Sequence, residues 1–472
     1  MRSYDLVVIG SGPAGQKCAI QAAKLGKSVC VVERCEVIGG AAINTGTIPS
    51  KALREAILAA TGKSPFMPRF ADFVASRGRV SLHDLFHACQ NIIKDEIALV
   101  RGHLASNGVD IRTGVASFRD DHVIDILGEH AREEVRAGHV CIAVGTMPAR
   151  PKTIDFDETD VITSDELLRL RELPASMIVV GGGVIGTEYA SMLAALGVKI
   201  TLIEGRTRLL DFIDAEIAEA LQYHLRQAGV TLRMGEKVVS IRKVEPPPGA
   251  KTTNNVMVEA MLESGKTLRA DCLLYAIGRQ GATDDLNLAA AGLSCDERGR
   301  ISVNERFQTA VPHIYAAGDV IGFPALASTS MEQGRMAACA MFGQACESYG
   351  QVLPYGIYAI PEISMVGWTE ERLTKEGIPY EAGVAQYKEI ARGQLLGDEI
   401  GMLKLLIHQE SRTILGVHAI GTGATELIHI GQAAMAFGAT VEYFVNAVFN
   451  WPTLAECYKV AALNGLNKLR NV

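Results

Sequence analysis

One local pattern occurs twice in this chain and limits the folds that the chain can adopt. In the first copy, residues 4–10 (YDLVVIG) predict a buried strand, residues 10–15 (GSGPAG) bring three glycines together, and a helix is predicted over 16–25. A second strand over residues 28–32 then ends at Glu33. A strand, a crossover helix and a second strand in this order predict a β-α-β unit with parallel strands.

The second copy begins about 170 residues later. Residues 177–181 (MIVVG) predict a strand, residues 181–186 (GGGVIG) repeat the glycine spacing, and a helix is predicted over 187–196. The strand KITLI then ends at Glu204. A chain of 472 residues exceeds the size of a single core, so we predict an α/β protein of about three domains.

The three glycines of each copy predict a site for a dinucleotide. The first glycine permits a tight turn, the second lets the backbone approach a pyrophosphate, and the third lets the helix pack on the strand. The helix N-terminus then directs free N–H groups and positive potential at the phosphates. Glu33 and Glu204, at the ends of the second strands, can accept hydrogen bonds from a ribose.

Composition excludes several other classes of protein. The net charge of −7 and the pI of about 5.9 predict neither a nucleic-acid surface nor an anionic membrane surface. No apolar run is long enough to span a membrane, and Asp5 interrupts any signal peptide, so we expect a cytoplasmic protein. Ten cysteines show no C-x-x-C and no zinc spacing, which predicts no metal site and fits a reducing compartment.

Residues 39–51 (GGAAINTGTIPSK) precede a helix predicted from Ala52 to about Ala60. This segment resembles the active-site segment of the flavoprotein disulfide reductases, the class-I pyridine nucleotide-disulfide oxidoreductases, which reads G-G-x-C-x-N-x-G-C-I-P-S-K. Ala42 and Thr47 stand where that family has its two redox cysteines. The resemblance implies FAD on the first glycine motif and a nicotinamide nucleotide on the second.

Further segments carry the same resemblance. Residues 143–148 and 276–279 are similar to the segments that close the first part of the FAD domain and the nucleotide domain, and residues 309–319 match T-x4-h-Y-A-x-G-D. In the family Asp319 would bind the ribityl chain, and a helix predicted from about Ser328 would point at the flavin. The implied domains are an FAD-binding domain (1–152 and 280–350), an NAD(P)-binding domain (153–279) and a C-terminal α+β dimerisation domain (351–472).

The C-terminal segment 449–456 (FNWPTLAE) is similar to the family's H-x-H-P-T-x-x-E segment, in which a histidine serves as the base for the thiol. Trp451 replaces that histidine and cannot titrate, whereas Glu456 is kept. A missing disulfide combined with F-N-aromatic-P-T-x-A-E resembles the soluble pyridine nucleotide transhydrogenases over the whole chain. That family usually has Tyr where Trp451 stands.

This second resemblance implies an Si-specific, FAD-dependent enzyme that moves a hydride between NADPH and NAD+ through flavin N5, by a ping-pong mechanism. It also implies a homodimer or a larger homo-oligomer, in which the C-terminal segment enters the partner's site. Lys51 would be the partner of N5, and Glu188 would pair with Lys51. Glu204 suits the 2′-OH of NAD(H), while Arg206 and Arg208 could hold the 2′-phosphate of NADP(H).

Three sets of residues are therefore candidates for the site. The catalytic set is Lys51, Glu188, Trp451 and Glu456. The FAD set is Gly10, Gly12, Pro13, Ala14, Gly15, Glu33, Arg34, Gly39, Gly40, Ala42, Thr47, Lys51, Val115, Gly145, Gly318, Asp319 and Ala327. The NAD(P) set is Gly181, Gly183, Val184, Ile185, Gly186, Glu188, Glu204, Arg206, Arg208, Gly278 and Arg279.

Other readings of the sequence remain open. A diaphorase or oxidase would pass electrons from the flavin to quinone or oxygen, and a redox sensor would use the flavin without catalysis. A disulfide reductase would need distant thiols such as Cys457, or the C-x4-C pair of Cys30 and Cys35. The two arginines after Glu204 could equally be solvated loop charges.

Overall fold

In the computed structural model, the described residues are 1–62, 82–249, 252, 255–346, 350 and 352–469. The chain folds into two compact units, and each combines segments that are distant in sequence. The first unit consists of Met1–Lys152, Thr163–Glu172 and Gly278–Tyr349, and the second of Thr153–Ile162, Leu173–Ile277 and Gly350–Val472. The division into domains drawn from the sequence stays a prediction.

Strands and helices are numbered here in chain order over the described residues. The strands are β1 (Arg2–Ile9), β2 (Val29–Glu33), β3 (Asp110–Thr113), β4 (Val115–Phe118), β5 (Val123–Leu127), β6 (Arg132–Ile142), β7 (Thr146–Pro148), β8 (Val161–Ile162), β9 (Ser176–Val180), β10 (Lys199–Glu204), β11 (Thr231–Met234), β12 (Val238–Val244), β13 (Met257–Leu262), β14 (Thr267–Ala270), β15 (Cys272–Tyr275), β16 (Arg279–Gly281), β17 (Ile314–Ala316), β18 (Tyr355–Ile357), β19 (Ile363–Gly367), β20 (Tyr380–Gln386), β21 (Met402–His408) and β22 (Ile414–Ile420). The helices are α1 (Pro13–Lys24), α2 (Gly40–Asn44), α3 (Thr47–Ala60), α4 (Leu82–Ser106), α5 (Ser164–Leu167), α6 (Val184–Ala195), α7 (Ala215–Gln227), α8 (Ala327–Met341), α9 (Glu370–Glu376), α10 (Ala391–Leu396), α11 (Ala424–Ala436), α12 (Val441–Asn446) and α13 (Glu456–Leu469).

The first unit is built on a sheet with the order β3-β2-β1-β6-β5-β4. The pairs β1–β2, β1–β6 and β2–β3 are parallel, and β17 joins the sheet in parallel beside the end of β6. The long strand β6 also pairs in antiparallel fashion with β5. This parallel centre places the carboxyl ends of β1 and β2 at one edge of the sheet, where the first glycine motif begins.

The core of the first unit covers both faces of this sheet. Leu6 and Val8 of β1 pack in one apolar cluster, while Val7 and Ile9 pack in another on the opposite side. Because alternate side chains of a strand point to opposite faces, a strand buried on both faces reads as a continuous apolar run. This explains why the run LVVI predicted a buried parallel strand.

The second unit contains a parallel sheet with the order β11-β10-β9-β15-β8 and an antiparallel sheet with the order β12-β13-β14. Its C-terminal part is an antiparallel sheet with the order β18-β19-β22-β21-β20. A separate core of this part includes Leu405 and Val417 from the sheet and Tyr458 from α13. The predicted α/β class with an α+β C-terminal part is confirmed.

Three of the predicted helices begin earlier than expected; α1 begins at Pro13 and not at residue 16, and α6 begins at Val184 and not at residue 187. The helix expected to begin at Ala52 begins at Thr47, and a short helix, α2, precedes it. Pro49 therefore lies inside the first turn of α3, where its missing N–H costs no intrahelical hydrogen bond. Lys51 consequently lies in the second turn of the helix and not before it.

The contact between the start of α1 and the glycine turn gives a test of this fold. A Cβ built on Gly15 would lie 2.0 Å from the carbonyl oxygen of Gly10, which is backbone and cannot move aside. We expect Gly15→Ala to destabilise the first unit by about 1–3 kcal/mol, the usual cost of overpacking, and to reduce the FAD content of the purified protein. Thermal unfolding and flavin absorbance measure the two effects.

Gly102→Ala is the control for this substitution. Gly102 lies inside α4, and a Cβ there would meet nothing within 4 Å. Alanine is favoured over glycine inside a helix, so this variant should keep its flavin and gain up to about 1 kcal/mol. If Gly15→Ala and Gly102→Ala show the same thermal stability and the same flavin content, the close contact at Gly15 is contradicted.

Candidate functional site

The first glycine motif forms a tight turn that leads into α1. Gly10 has a φ of +105°, and a Cβ there would lie 2.4 Å from the carbonyl oxygen of Ala143. Gly12 is the N-cap of α1 and offers no side chain to the first turn, so the N–H groups of that turn remain for a ligand. A Cβ on Gly12 would have no neighbour closer than 3.9 Å. This open cradle at a helix N-terminus fits a pyrophosphate.

Glu33 is held by the same turn. Its carboxylate accepts hydrogen bonds from the N–H of Ser11 at 3.0 Å, from the Ser11 hydroxyl at 2.6 Å and from the N–H of Cys35 at 3.1 Å. The Ser11 hydroxyl also accepts a hydrogen bond from the N–H of Gly39 at 2.8 Å. Ser11 therefore joins the glycine turn, the acid and the segment before α2. This role of Ser11 was not predicted from the sequence, although a hydroxyl between two motif glycines was a visible signal.

The segment in which two cysteines are replaced keeps its own framework. Gly39 has a φ of +113° at the start of α2, and the Asn44 amide donates hydrogen bonds to the carbonyl oxygens of Ile38 at 3.2 Å and Gly40 at 2.9 Å. Ala42 is half-buried in α2, and Thr47 is exposed at the start of α3. Lys51 Nζ lies 3.3 Å from the Ser50 hydroxyl.

Asp319, predicted to bind the ribityl chain, follows β17 and lies in the first unit together with α1. Its carboxylate accepts hydrogen bonds from the hydroxyls of Ser330 at 3.2 Å and Thr146 at 3.4 Å. Arg279 donates to the Thr146 hydroxyl at 2.8 Å and to the Thr146 carbonyl oxygen at 2.7 Å. Thr146, Ser330 and Arg279 thus support the position of Asp319, and the first two were not predicted from the sequence.

The other predicted FAD residues occupy varied positions in the first unit. Pro13 and Ala14 open α1, and Ala327 opens α8. Val115 lies half-buried on β4, and Arg34 is exposed after β2. Gly40 lies against Gly12, Gly145 has a φ of +65°, and the N–H of Gly318 donates to Gln333 Oε1 at 2.9 Å. Their contacts with a flavin stay predictions.

The second glycine motif repeats the geometry of the first. Gly181 has a φ of +109°, and a Cβ on Gly186 would lie 1.9 Å from the carbonyl oxygen of Gly181. Gly183 is the N-cap of α6, whose first turn contains Val184 and Ile185, and a Cβ on Gly183 would meet nothing within 4 Å. The same kind of cradle is therefore present in the second unit.

Glu204 at the end of β10 is paired with an arginine. Its carboxylate accepts hydrogen bonds from the N–H of Gly182 at 2.7 Å and from Arg206 through the backbone N–H at 2.9 Å, Nε at 2.9 Å and Nη2 at 3.0 Å. Burial alone would raise the pKa of the Glu204 carboxyl, but these hydrogen bonds outweigh burial and lower that pKa. The acid is therefore ionised at neutral pH and matched by a positive charge.

The other residues predicted to bind NAD(P) are divided between the two units. Arg208 donates from Nη1 to Glu371 at 2.8 Å. Glu188 is buried on α6, and its Oε1 accepts a hydrogen bond from the N–H of Tyr358 at 2.8 Å. Gly278, predicted to contact NAD(P), lies with Arg279 in the first unit. The predicted Lys51–Glu188 pair would join residues of the two units and stays a prediction.

The C-terminal segment presents one exposed and one buried candidate. The Trp451 residue is 72% exposed. Glu456 begins α13, and its Oε2 is buried without a hydrogen-bond partner among the described residues. A buried carboxylate oxygen without a partner is uncommon in folded proteins.

Cysteines considered as substitutes for the lost disulfide are poorly suited to that chemistry. Cys30 and Cys457 are fully buried, and burial raises the pKa of each thiol to about 12. Cys35 is exposed and not joined to Cys30. Because the thiolate is the reactive form, the two buried thiols are unreactive near neutral pH.

Possible metal ligands come together at two places among the described residues. Two clusters of side chains lie close enough to hold a metal ion, namely Asp121, His122 and His313, and Asp214, Glu216 and Glu370. The second cluster already surrounds the ammonium group of Lys404.

None of the helices within the described ranges combines the length and apolarity that crossing a membrane requires.

Comparison with known proteins places these sites in a family. Residues 4–334 match the pyridine nucleotide-disulphide oxidoreductases, and residues 353–462 match the dimerisation domain of that family. A soluble pyridine nucleotide transhydrogenase of Mycobacterium bovis (strain BCG / Pasteur 1173P2) is 52% identical over 472 residues, covering 100% of this chain and 98% of the relative. One from Colwellia psychrerythraea is 45% identical, covering 99% of this chain and 98% of the relative.

Solved structures show the same fold. The HOCl-induced flavoprotein disulfide reductase RclA from Escherichia coli superposes with a TM-score of 0.85 at 27% identity, covering 98% of this chain and 99% of that chain. LpdA from Mycobacterium tuberculosis, at 24% identity with a TM-score of 0.86 and the same coverage, supports the fold alone. The prediction of FAD and pyridine nucleotides as cofactors is confirmed at the level of the family. The chain belongs to the pyridine nucleotide-disulphide oxidoreductase family and is similar over its whole length to the soluble pyridine nucleotide transhydrogenases.

Proposed function

We propose that this protein is an FAD-dependent transhydrogenase that moves a hydride between NADPH and NAD+. Its first unit would hold FAD on the Gly10–Gly15 turn, and its second unit would hold NAD(H) and NADP(H) in turn on the Gly181–Gly186 turn. Bound FAD supplies a ring nitrogen, N5, that takes up a hydride from one nicotinamide and returns it to another. The predicted Si-face stereochemistry and the ping-pong order are part of the proposal.

The observation that carries this proposal is the pairing of Glu204 with Arg206. A lone carboxylate at this position favours the 2′-OH of NAD(H) and repels a 2′-phosphate. Here the guanidinium already neutralises the acid, and its Nη1 extends to the exposed carboxylate of Asp211. A 2′-phosphate could replace Asp211 on that nitrogen, while the acid stays available to a ribose hydroxyl. One pocket can thus accept both nucleotides.

The catalytic residues have supporting and excluding roles in this proposal. Lys51 on α3 would place its ammonium group near N5, and Glu188 would hold that ammonium in position. Trp451 cannot accept a proton, so it would act as an apolar cover that keeps water and oxygen from the ring. Glu456, with its unsatisfied buried Oε2, would accept a hydrogen bond from a group of the assembled site.

We further propose a cytoplasmic homodimer, formed through the C-terminal part of the second unit. Four large apolar residues near the end of the chain are exposed in the isolated subunit, namely Phe437 at 91%, Tyr443 at 56%, Val448 at 96% and Trp451 at 72%. They lie within the region that matches the family's dimerisation domain. Large apolar residues exposed within one such region favour a protein interface there, and the 449–456 segment would enter the partner's site.

The function is tested by anaerobic stopped-flow absorbance on the FAD-loaded protein. We expect stoichiometric NADPH to bleach the flavin absorbance, and NAD+ added next to restore it with formation of NADH. If NADPH leaves the absorbance unchanged, the use of both nucleotides is wrong. If only quinone or oxygen restores it, the protein is a diaphorase.

Arg206→Ala tests how the second unit accepts NADPH. The substitution removes a charge-assisted contact and leaves Glu204 unneutralised, so we expect kcat/KM for NADPH to fall roughly 10- to 100-fold, the equivalent of about 1.5–3 kcal/mol. The value for NADH should change less than about threefold, because Glu204 keeps its bond from Gly182. Steady-state reduction of a dye gives both constants.

Arg242→Ala is the matched control, because Arg242 forms an arginine–glutamate pair with Glu259 at 2.7 Å in the same unit. It should leave the ratio of the two kcat/KM values unchanged. If kcat/KM falls equally for NADPH and NADH in Arg206→Ala, the proposed contact between Arg206 and the 2′-phosphate is contradicted.

Val448→Glu tests the proposed dimer. A carboxylate at this exposed position would be buried without a partner in the interface, so we expect the dissociation constant of the dimer to rise at least about tenfold. Sedimentation velocity over a range of concentrations measures it. Leu127→Glu, at a residue that is 62% exposed in the first unit, should leave the dimer intact. If the Val448→Glu protein remains dimeric at the same concentrations, the surface around Val448 is not the dimer interface.

A further inference from the structure

The loop that connects β10 to α7, residues 205–214, carries both arginines, but it holds them in different ways. The Arg206 side chain is 45% exposed, and among the described residues it forms ion pairs with Glu204 and with the exposed carboxylate of Asp211. Arg208 is 27% exposed and donates from Nη2 to the carbonyl oxygens of Asp211 at 3.0 Å and Ile213 at 3.5 Å. Arg208 therefore closes the loop on itself.

Arg208 also fastens the loop to α9. Its Nη1 lies 2.8 Å from Glu371 Oε1, which accepts a second hydrogen bond from the N–H of Ala215 at 2.9 Å. Burial alone would raise the pKa of the Glu371 carboxyl, but the bond from Arg208 and further hydrogen bonds outweigh burial and lower it. Glu371 thus meets the loop and the first turn of α7 as an anion.

The starts of α7 and α9 cap each other. Asp214 caps its own helix by accepting from the N–H of Glu216 at 3.2 Å, and it accepts a further hydrogen bond from the N–H of Glu370 at 3.3 Å. Glu371 in return accepts from the N–H of Ala215. Each helix thereby supplies a carboxylate for the free N–H groups of the other, which fixes the end of the loop.

A buried lysine secures this junction. Lys404 of β21 is fully buried, and its Nζ lies 2.9 Å from Asp214 Oδ1 and 2.8 Å from Glu216 Oε2 and also contacts Glu370. Burial alone would lower the pKa of the Lys404 ammonium, but the three carboxylates outweigh burial and raise it. Moving the loop would separate a buried charge from its partners, which is costly.

We infer that Arg208 and Glu371 are positioning residues for the recognition of NADP(H): they fix the 205–214 loop so that Arg206 faces the 2′-phosphate, and Arg208 does not bind the phosphate itself. This inference rests on the proposed role of Arg206. It assigns different roles to two arginines that the sequence suggested as joint ligands. It also makes a residue 163 positions away from Arg208 in sequence a determinant of nucleotide selectivity.

The test uses Glu371→Ala in the FAD-loaded protein, with 2′,5′-ADP and 5′-AMP as probes that differ in the 2′-phosphate. We expect the dissociation constant for 2′,5′-ADP, measured by calorimetry, to rise about five- to tenfold, and that for 5′-AMP to stay within about twofold. The KM for NADPH should rise by a similar factor with kcat unchanged. Glu371→Gln, which keeps an acceptor for Ala215, should give a smaller rise of the same sign.

The sign of the effect separates this inference from direct binding by Arg208. If Arg208 were itself a phosphate ligand, its release from Glu371 would tighten 2′,5′-ADP, and that result would overturn the inference. Equal weakening of both probes would also overturn it, because it would show a general disturbance. Arg208→Ala should reproduce the effect of Glu371→Ala, and the double variant should be no worse than either single variant.

Glu442→Ala is the matched control, since Glu442 pairs with Arg412 at 2.7 Å on the same part of the second unit. It should leave both probes unaffected. A wild-type protein that binds 2′,5′-ADP and 5′-AMP equally would overturn the role of Arg206 in the proposed function. If the ratio of the two dissociation constants is the same in Glu371→Ala as in the wild-type protein, and the wild-type protein prefers 2′,5′-ADP, the present inference alone is overturned.

Discussion

In both units the backbone that precedes the nucleotide helix passes very close to that helix, and this contact directs the free N–H groups of the helix N-terminus toward a ligand. The third glycine of each motif packs against the carbonyl oxygen of the first, at distances that exclude any Cβ. The preceding strand is buried on both faces in the first unit, so the turn cannot retreat from the helix. The rest of each nucleotide site, including the acid after the next strand, is arranged around this contact.

The two nucleotide motifs differ in the group that binds the acid at the end of the second strand. In the first unit the Ser11 hydroxyl bonds Glu33 and the N–H of Gly39, so the acid is closed in by neutral groups. In the second unit glycine occupies the equivalent position, because a Cβ on Gly182 would lie 3.0 Å from Glu204 Oε2 and 2.4 Å from Leu209. Arg206 approaches Glu204 from the solvent side instead. The acid of the first unit is thus enclosed by uncharged donors, whereas the acid of the second unit is paired with a partly exposed cation.

Local order in the sequence was enough to predict the strands, glycine turns, helices and acids of the two glycine motifs, because each of these depends on neighbouring residues. The helix predicted from Ala52 starts at Thr47, because proline at position 49 is tolerated in a first helical turn. The supports of the sites were not predictable in this way. Thr146 meets Asp319 across 173 positions, and Arg208 meets Glu371 across 163, and no local periodicity encodes such pairs.

The framework around the missing disulfide shows what that segment does apart from thiol chemistry. The Asn44 amide bonds the carbonyl oxygens of Ile38 and Gly40, and Ser11 bonds the N–H of Gly39, and none of these contacts involves position 42 or 47. These contacts therefore hold α2 and the residues before it without any help from positions 42 and 47. Buried thiols elsewhere, with their raised pKa values, provide no replacement relay. A protein that passes electrons from its flavin without thiols must still hold Lys51 in place. Keeping the framework while losing the two cysteines meets that requirement.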